Sequence, residues 1–122
     1  MPWDLDNNRP IYLQLMERIR QDIVAGTYKP GDKLPSVREL ALDAAVNPNT
    51  MQKALSELER DGLVYSKRTS GRYITEDETM LNQLKAGLAM QHIRQFLETM
   101  KQLGFKKEEI FSLIQEALKE EA

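Results

Sequence analysis

Residues 47–53 read NPNTMQK, and residues 67–72 read KRTSGR. Both stretches carry carboxamide, hydroxyl and cationic ends, and neither holds a carboxylate. The first acid after Asn47 is Glu57, and none occurs from 66 to 75. Groups of these types recognise a partner without breaking bonds in it. Asn49, Thr50 and Gln52 suit base edges in a DNA groove or phosphate oxygens, and Lys53, Lys67, Arg68 and Arg72 suit phosphate charge. At the start of a helix, an acid would neutralise the partial positive charge of about half an electron carried by the first amides. Its absence leaves that end open to an external anion. The competing reading is plain solvation, in which Asn47 caps a helix, its polar neighbours face water, and 67–72 is an ordinary exposed turn.

Bond-breaking chemistry finds little support. There is no cysteine, hence no disulfide, thiolate metal site or cysteine nucleophile, and His92 is the only histidine. A histidine metal site or a Ser-His-Asp triad would rest on that one residue in an apolar helical context. No glycine-rich phosphate loop is present either. The chain is therefore expected to be no enzyme, with no metal and no cofactor.

With 122 residues, 41% hydrophobic and 30% charged, the chain suits one compact domain with a short appendage. No apolar run reaches bilayer length, and the opening MPWDLDNNRP has two acids and no signal-like stretch, so a cytoplasmic protein without membrane contact is expected. The formal net charge is -2 and opposes a polyanion mildly. It is unevenly spread: residues 1–75 hold 11 Lys/Arg against 10 Asp/Glu, hence +1, and residues 76–122 hold 6 against 9, hence -3. Local surface is what a phosphate feels within a Debye length of about 8 to 10 Å.

Helical elements must position these groups. Ile11, Leu15, Ile19 and Ile23 recur every fourth residue, with Tyr12, Met16 and Val24 widening the stripe; Pro10 is expected at the first helical position and Gly26 at the end. Pro30-Gly31-Asp32 signals a turn. Ser36 and Glu39 then form a capping box, and Val37, Leu40, Ala41 and Ala44 give a narrow face against which another helix can pack closely. Arg38 in that first turn opposes the helix dipole, so contact with a phosphate or guanine explains it better than helix stability. A third helix opens with Asn47 as N-cap and Pro48 at N1, buries Met51, Ala54, Leu55 and Leu58, and stops at Gly62. Ala45 stands where many such turns carry glycine. Two β-prone runs, 63–67 and 72–75, follow around Gly71. A hairpin directly after a helix-turn-helix is a winged helix.

Segments in this order and spacing, LPSVRELA, VNPNT and ELERDGLV, resemble the DNA-binding domain of GntR-type bacterial transcription regulators. The resemblance runs from about Arg9 to Thr75, and VNPNT with a short helical tail looks like the YtrA subfamily. It implies a dimeric winged helix-turn-helix repressor on a pseudo-palindromic operator. It also implies that positions matching Arg38, Asn47, Asn49, Thr50, Gln52 and 68–71 face DNA. Larger members of the family carry arginine or another long polar residue where Pro48 and Gln52 stand, so their base contacts do not transfer simply.

From Met80 a long amphipathic helix is expected. Leu81, Leu84 and Leu88 form one line, and Ala86, Ala89, Met90, Ile93, Leu97 and Met100 an adjoining one. Gly104-Phe105 suggests a Schellman stop. The last helix adds Ile110, Phe111, Ile114, Ala117 and Leu118, with poor capping at Phe105 or Lys106 but well-placed Glu108 and Glu109. Two helices of about 40 residues cannot bury such wide faces between themselves, which points to a second copy. The alternative is a tail packed over its own domain. His92 falls in or beside this surface. A small-molecule effector would have to use a pocket at the dimer seam, where no distinctive polar cluster stands.

The chain is thus expected to be mainly α with a small β-hairpin: a winged helix-turn-helix domain over 9–77 and a C-terminal two-helix dimerisation tail over 78–122. The DNA-binding candidates are Ser36, Arg38, Asn47, Asn49, Thr50, Gln52, Lys53, Lys67, Arg68, Thr69, Ser70 and Gly71. The dimer candidates are Leu81, Leu84, Leu88, Met90, Ile93, Leu97, Met100, Phe111, Ile114 and Leu118. The expected partners are a double-stranded DNA operator and a second copy of the chain. An acidic isoelectric point near 5.5 leaves one rival, a dimeric module whose winged helix binds another protein.

Overall fold

The computed structural model describes residues 3–68 and 70–121. In chain order these form α1 (Ile11–Val24), α2 (Val37–Ala44), α3 (Pro48–Arg60), β1 (Val64–Lys67), β2 (Gly71–Ile74), α4 (Glu78–Gln102) and α5 (Lys107–Glu121). The chain divides into two compact units, the first ending at Asn82 and the second beginning at Gln83. Among the described residues no helix is long and apolar enough to cross a membrane.

The apolar spacing of each short helix becomes its buried face. α1 buries Leu15, Met16, Ile19 and Ile23, and α2 buries Leu40, Ala41 and Ala44. Both pack on α3, which buries Met51, Ala54, Leu55 and Leu58. Leu15, Ile19, Met51 and Leu58 are fully inaccessible. Side chains of this size contribute about 1.5–3 kcal/mol each when withdrawn from water. Pro10 lies one position earlier than expected: it is the N-cap of α1, at φ -53 and ψ 128, with extended rather than helical ψ.

The turn between α2 and α3 is made by Ala45 at φ 59 and ψ 49, a left-handed conformation that costs any residue with a Cβ. Its amide donates to the carbonyl of Leu42 at 3.2 Å, and that of Val46 to Ala41 at 3.0 Å, which closes α2 and redirects the chain within two residues. At the other end of α3, Gly62 has φ +85, and a Cβ there would lie 3.2 Å from the methyl carbon of Met80. The positive φ favours glycine, whereas the Met80 side chain could give the few tenths of an ångström that a Cβ needs.

β1 and β2 pair antiparallel, Val64 opposite Ile74 and Tyr65 opposite Tyr73; β1 starts one residue later than the expected run and ends with it, and β2 lies one residue earlier. The wing is broader than a two-stranded hairpin. The segment 31–34 adds an edge: Gly31 N–H donates to Ile74 O at 2.9 Å, Ile74 N–H to Asp32 O at 2.8 Å, and Leu34 N–H to Arg72 O at 2.9 Å. Lys33 thereby bridges Tyr73.

α4 starts two residues before the expected Met80, because the Asp77 carboxylate accepts the Met80 amide at 3.1 Å as a cap. It ends as expected. Phe105 N–H donates to Met100 O at 3.1 Å, with Gly104 at φ +91. Lys106 precedes α5, and Glu109 reaches back to its amide at 3.0 Å, which supplies half of a capping box. Ile110 is buried, whereas Met90, Ile93, Phe96, Phe111, Leu113 and Leu118 are exposed, Phe111 to 65%.

Candidate nucleic-acid interface

The first turn of α2 carries the expected box. The Ser36 hydroxyl accepts the Glu39 amide at 3.1 Å, and the Ser36 amide donates to the Glu39 carboxylate at 3.1 Å. The Ser36 amide, and after it the Ser36 side chain, hydrogen-bond the Glu39 carboxyl and hold it below the usual carboxylate range. Arg38, between them, is exposed and enters no ion pair among the described residues.

At the start of α3 the absence of acid holds, but the free amides do not. Asn47 Oδ1 accepts the Asn49 amide at 2.8 Å, Pro48 has none, and the amides of Thr50 and Met51 both donate to Asn47 O at 3.0 and 3.2 Å. The asparagine cap and the proline thus consume the donors that the sequence seemed to leave open, and any anion at this end must be met by side chains. Asn49, Gln52 and Lys53 are exposed and available for that purpose. Gln52 Nε2 lies 3.3 Å from Ser56 Oγ one turn on, so Ser56 orients that carboxamide. Lys53 Nζ sits 3.9 Å from the centre of the Tyr12 ring on α1, close enough for cation–π attraction. Thr50 is half-buried and, with Asn47, lines a separate cavity against Trp3 and Leu5.

On the wing, Tyr65 and Tyr73 stack across the strands with centroids 5.8 Å apart. Tyr73 also holds the loop at both of its ends. Lys67 Nζ lies 4.5 Å over its ring, and its hydroxyl donates to Ser70 Oγ at 3.1 Å. Arg68 is exposed at the tip. Gly71 begins β2 at φ +107. Thr69 lies outside the described residues. Arg72, expected among the free wing cations, is taken: its Nε donates to Glu59 Oε1 of α3 at 3.2 Å, the same oxygen that accepts the Ser66 hydroxyl at 2.9 Å. Glu59 therefore clasps the wing to α3 and cancels one positive charge of the surface.

Ser36, Lys67, Arg68, Ser70 and Gly71 converge on one open cleft of about 750 Å³ between the start of α2 and the wing, lined also by Lys33 and by Glu39, a carboxylate. The exposed face of α3 supplies Asn49, Gln52 and Lys53. Sequence reasoning missed Lys33, Tyr12 and Glu59 as parts of this surface. It also missed Gln14, the one polar side chain buried among the described residues. Only for Gln14 is there a local signal, a carboxamide within an apolar helical stripe. No cluster of His, Cys, Asp and Glu able to hold a metal occurs among the described residues.

Residues 11–74 match the family model of bacterial regulatory proteins of the gntR family. Two relatives from Bacillus subtilis are similar over nearly the full chain. The HTH-type transcriptional regulator YhcF is 43% identical, covering 85% of this chain and 86% of its own. The HTH-type transcriptional repressor YtrA is 38% identical, covering 93% and 88%. A GntR family transcriptional regulator from Listeria monocytogenes superposes with a TM-score of 0.84 at 43% identity, over 92% of this chain and 98% of that one. The DNA-binding domain of AraR, solved in complex with the operator ORX1, matches 62% of this chain and 92% of that one, with a TM-score of 0.53 and 30% identity. The chain belongs to the GntR family of bacterial regulatory proteins, DNA-binding regulators of transcription built on a winged helix.

Proposed function

We propose that this protein is a cytoplasmic repressor that binds a pseudo-palindromic operator as a homodimer, with α3 in the major groove and the wing along the backbone or minor groove. The observation that carries this reading is a set of exposed cationic and polar side chains on α3 and around the cleft, where Glu39, tied to Ser36 in the capping box, is the one lining carboxylate. Asn49 and Gln52 offer carboxamides on α3, Lys53 on α3 and Arg38 on α2 are exposed cations, and Lys67, Arg68 and Ser70 line the cleft beside the start of α2. Carboxamides read adenine edges and arginines read guanine edges or phosphate. A repressor name among the relatives and an operator-bound structure among the fold neighbours support the same conclusion.

The tail supports pairing. Met90 and Ile93 on α4 are 47% and 48% exposed, and Phe111 and Leu118 on α5 are 65% and 64% exposed. Ile114 is exposed too, Leu84, Leu88, Leu97 and Met100 are half-buried, and a second copy would cover these apolar side chains; Leu81, half-buried, lies in the first unit. Two copies related by a two-fold axis would set their α3 helices about one DNA turn apart, roughly 34 Å.

Gel-shift titration at several salt concentrations tests the assignment. Arg68→Ala should weaken binding to all duplexes and reduce the salt slope by about 1, whereas Asn49→Ala should lose discrimination at one base step, worth about 1–3 kcal/mol. Equal, salt-independent losses for both variants would overturn it.

A further inference from the structure

We infer that residues 3–9 form a strap that sets the start of the DNA-reading helix, and that Gln14 of α1 is its positioning residue; the inference rests on the DNA reading above. Gln14 is only 7% exposed. Its Oε1 accepts the Asp6 amide at 2.7 Å, and its Nε2 donates to the carbonyl oxygens of Asp6 at 2.6 Å and Arg9 at 3.0 Å. A buried carboxamide is tolerated only when satisfied, and this one is satisfied by backbone alone. It therefore fixes the path of the strap whatever side chains the strap bears. Farther out, the Arg18 guanidinium lies 4.7 Å over the Trp3 ring and gives a second anchor.

That path leads to the start of α3. Trp3 and Leu5, both half-buried and alternating along the segment, share a cavity of about 400 Å³ with Ala45, Val46, Asn47 and Thr50. These are the left-handed turn residue, its successor, the helix cap and a first-turn residue. A strap held in register walls the turn that aims Asn49 and Gln52; a loosened one leaves that turn a free side. A shift of aim affects base contacts, which need a fixed geometry, more than contacts to phosphate, which tolerate displacement.

Trp3 is the only tryptophan in the chain, so its fluorescence reports the strap directly. Gln14→Leu removes all three bonds at similar volume. In this variant, acrylamide quenching of Trp3 should rise. Affinity for a selected site should fall about tenfold, the scale of one good base contact, while affinity for a scrambled duplex stays within about twofold. Trp3→Ala, which spares the buried core, should give the same loss of preference and serves if Gln14→Leu does not fold by circular dichroism. Unchanged quenching in Gln14→Leu, or undiminished site preference in the folded variants, overturns the inference. A wild-type chain with no site preference would overturn the DNA reading and this inference with it, and the wild-type titration identifies that failure separately.

Discussion

Glu59→Gln should tighten DNA binding while weakening the fold. Glu59 accepts hydrogen bonds from Ser66 and Arg72 on the wing, with Arg72 19% and Glu59 39% exposed at the side chain. A pair this accessible contributes about 0.5–1 kcal/mol, and its loss should lower the melting temperature by about 2–4 °C. Glutamine retains an oxygen for Ser66 but releases Arg72 from a charged partner and removes a carboxylate from beside the polyanion. One more phosphate neutralised steepens the salt slope by about 0.9. Between 50 and 200 mM salt, a fourfold change, the variant should lose about 3.5-fold more affinity than the wild type and bind more tightly at the low end. Fluorescence anisotropy with a labelled duplex at four salt concentrations, beside thermal melts at fixed protein concentration, measures both quantities. A slope no steeper than wild type, or weaker binding at 50 mM, would refute the reasoning and show that Glu59 matters for orienting the wing rather than for masking Arg72.

Ala45→Gly should stabilise the protein by about 0.5–1 kcal/mol, the left-handed strain of about 1–2 kcal/mol less the greater freedom of glycine in the unfolded chain; a thermal melt that rises checks it. The lowered Glu39 pKa means that the capping box stabilises fully above the ordinary carboxylate value, about 4.5, and that this stabilisation is lost as pH falls through the lowered value. Glu39→Gln should therefore flatten the acid limb of a stability-versus-pH curve measured by urea unfolding, and leave its neutral region with little pH dependence of its own.

The helices of the first unit were legible because each carries its instructions locally. Ser36 with Glu39, Asn47 with Pro48, and Gly62 mark ends within a few residues of the buried stripes they delimit. The edge at 31–34 was not legible, since it lies between Pro30 and Pro35 and exists only through hydrogen bonds to Arg72 and Ile74, some 40 residues away. Long-range pairing also hid the clasp: Arg72 reads as a wing cation until Glu59, thirteen residues earlier on α3, is found beside it. The start of α3 shows a subtler limit. Asn47 and Pro48 were recognised as cap and first residue, yet both reduce the supply of amide donors that the missing acids seemed to leave open. Composition identified the polarity of that surface, while geometry assigned its hydrogen bonding to the side chains of Asn49 and Gln52. Phe96 and Leu113, absent from the expected pairing face, are 41% and 43% exposed and lie on the same two tail helices as the residues that were expected.

Selecting bound duplexes from a random pool with the full chain measures recognition most directly. Inverted half-sites centred about 10 base pairs apart should be enriched, and Asn49→Ala should relax one position in each half. Recovery of no preferred sequence, or of a single half-site without its inverted mate, would contradict a paired, side-chain reading of DNA by α3.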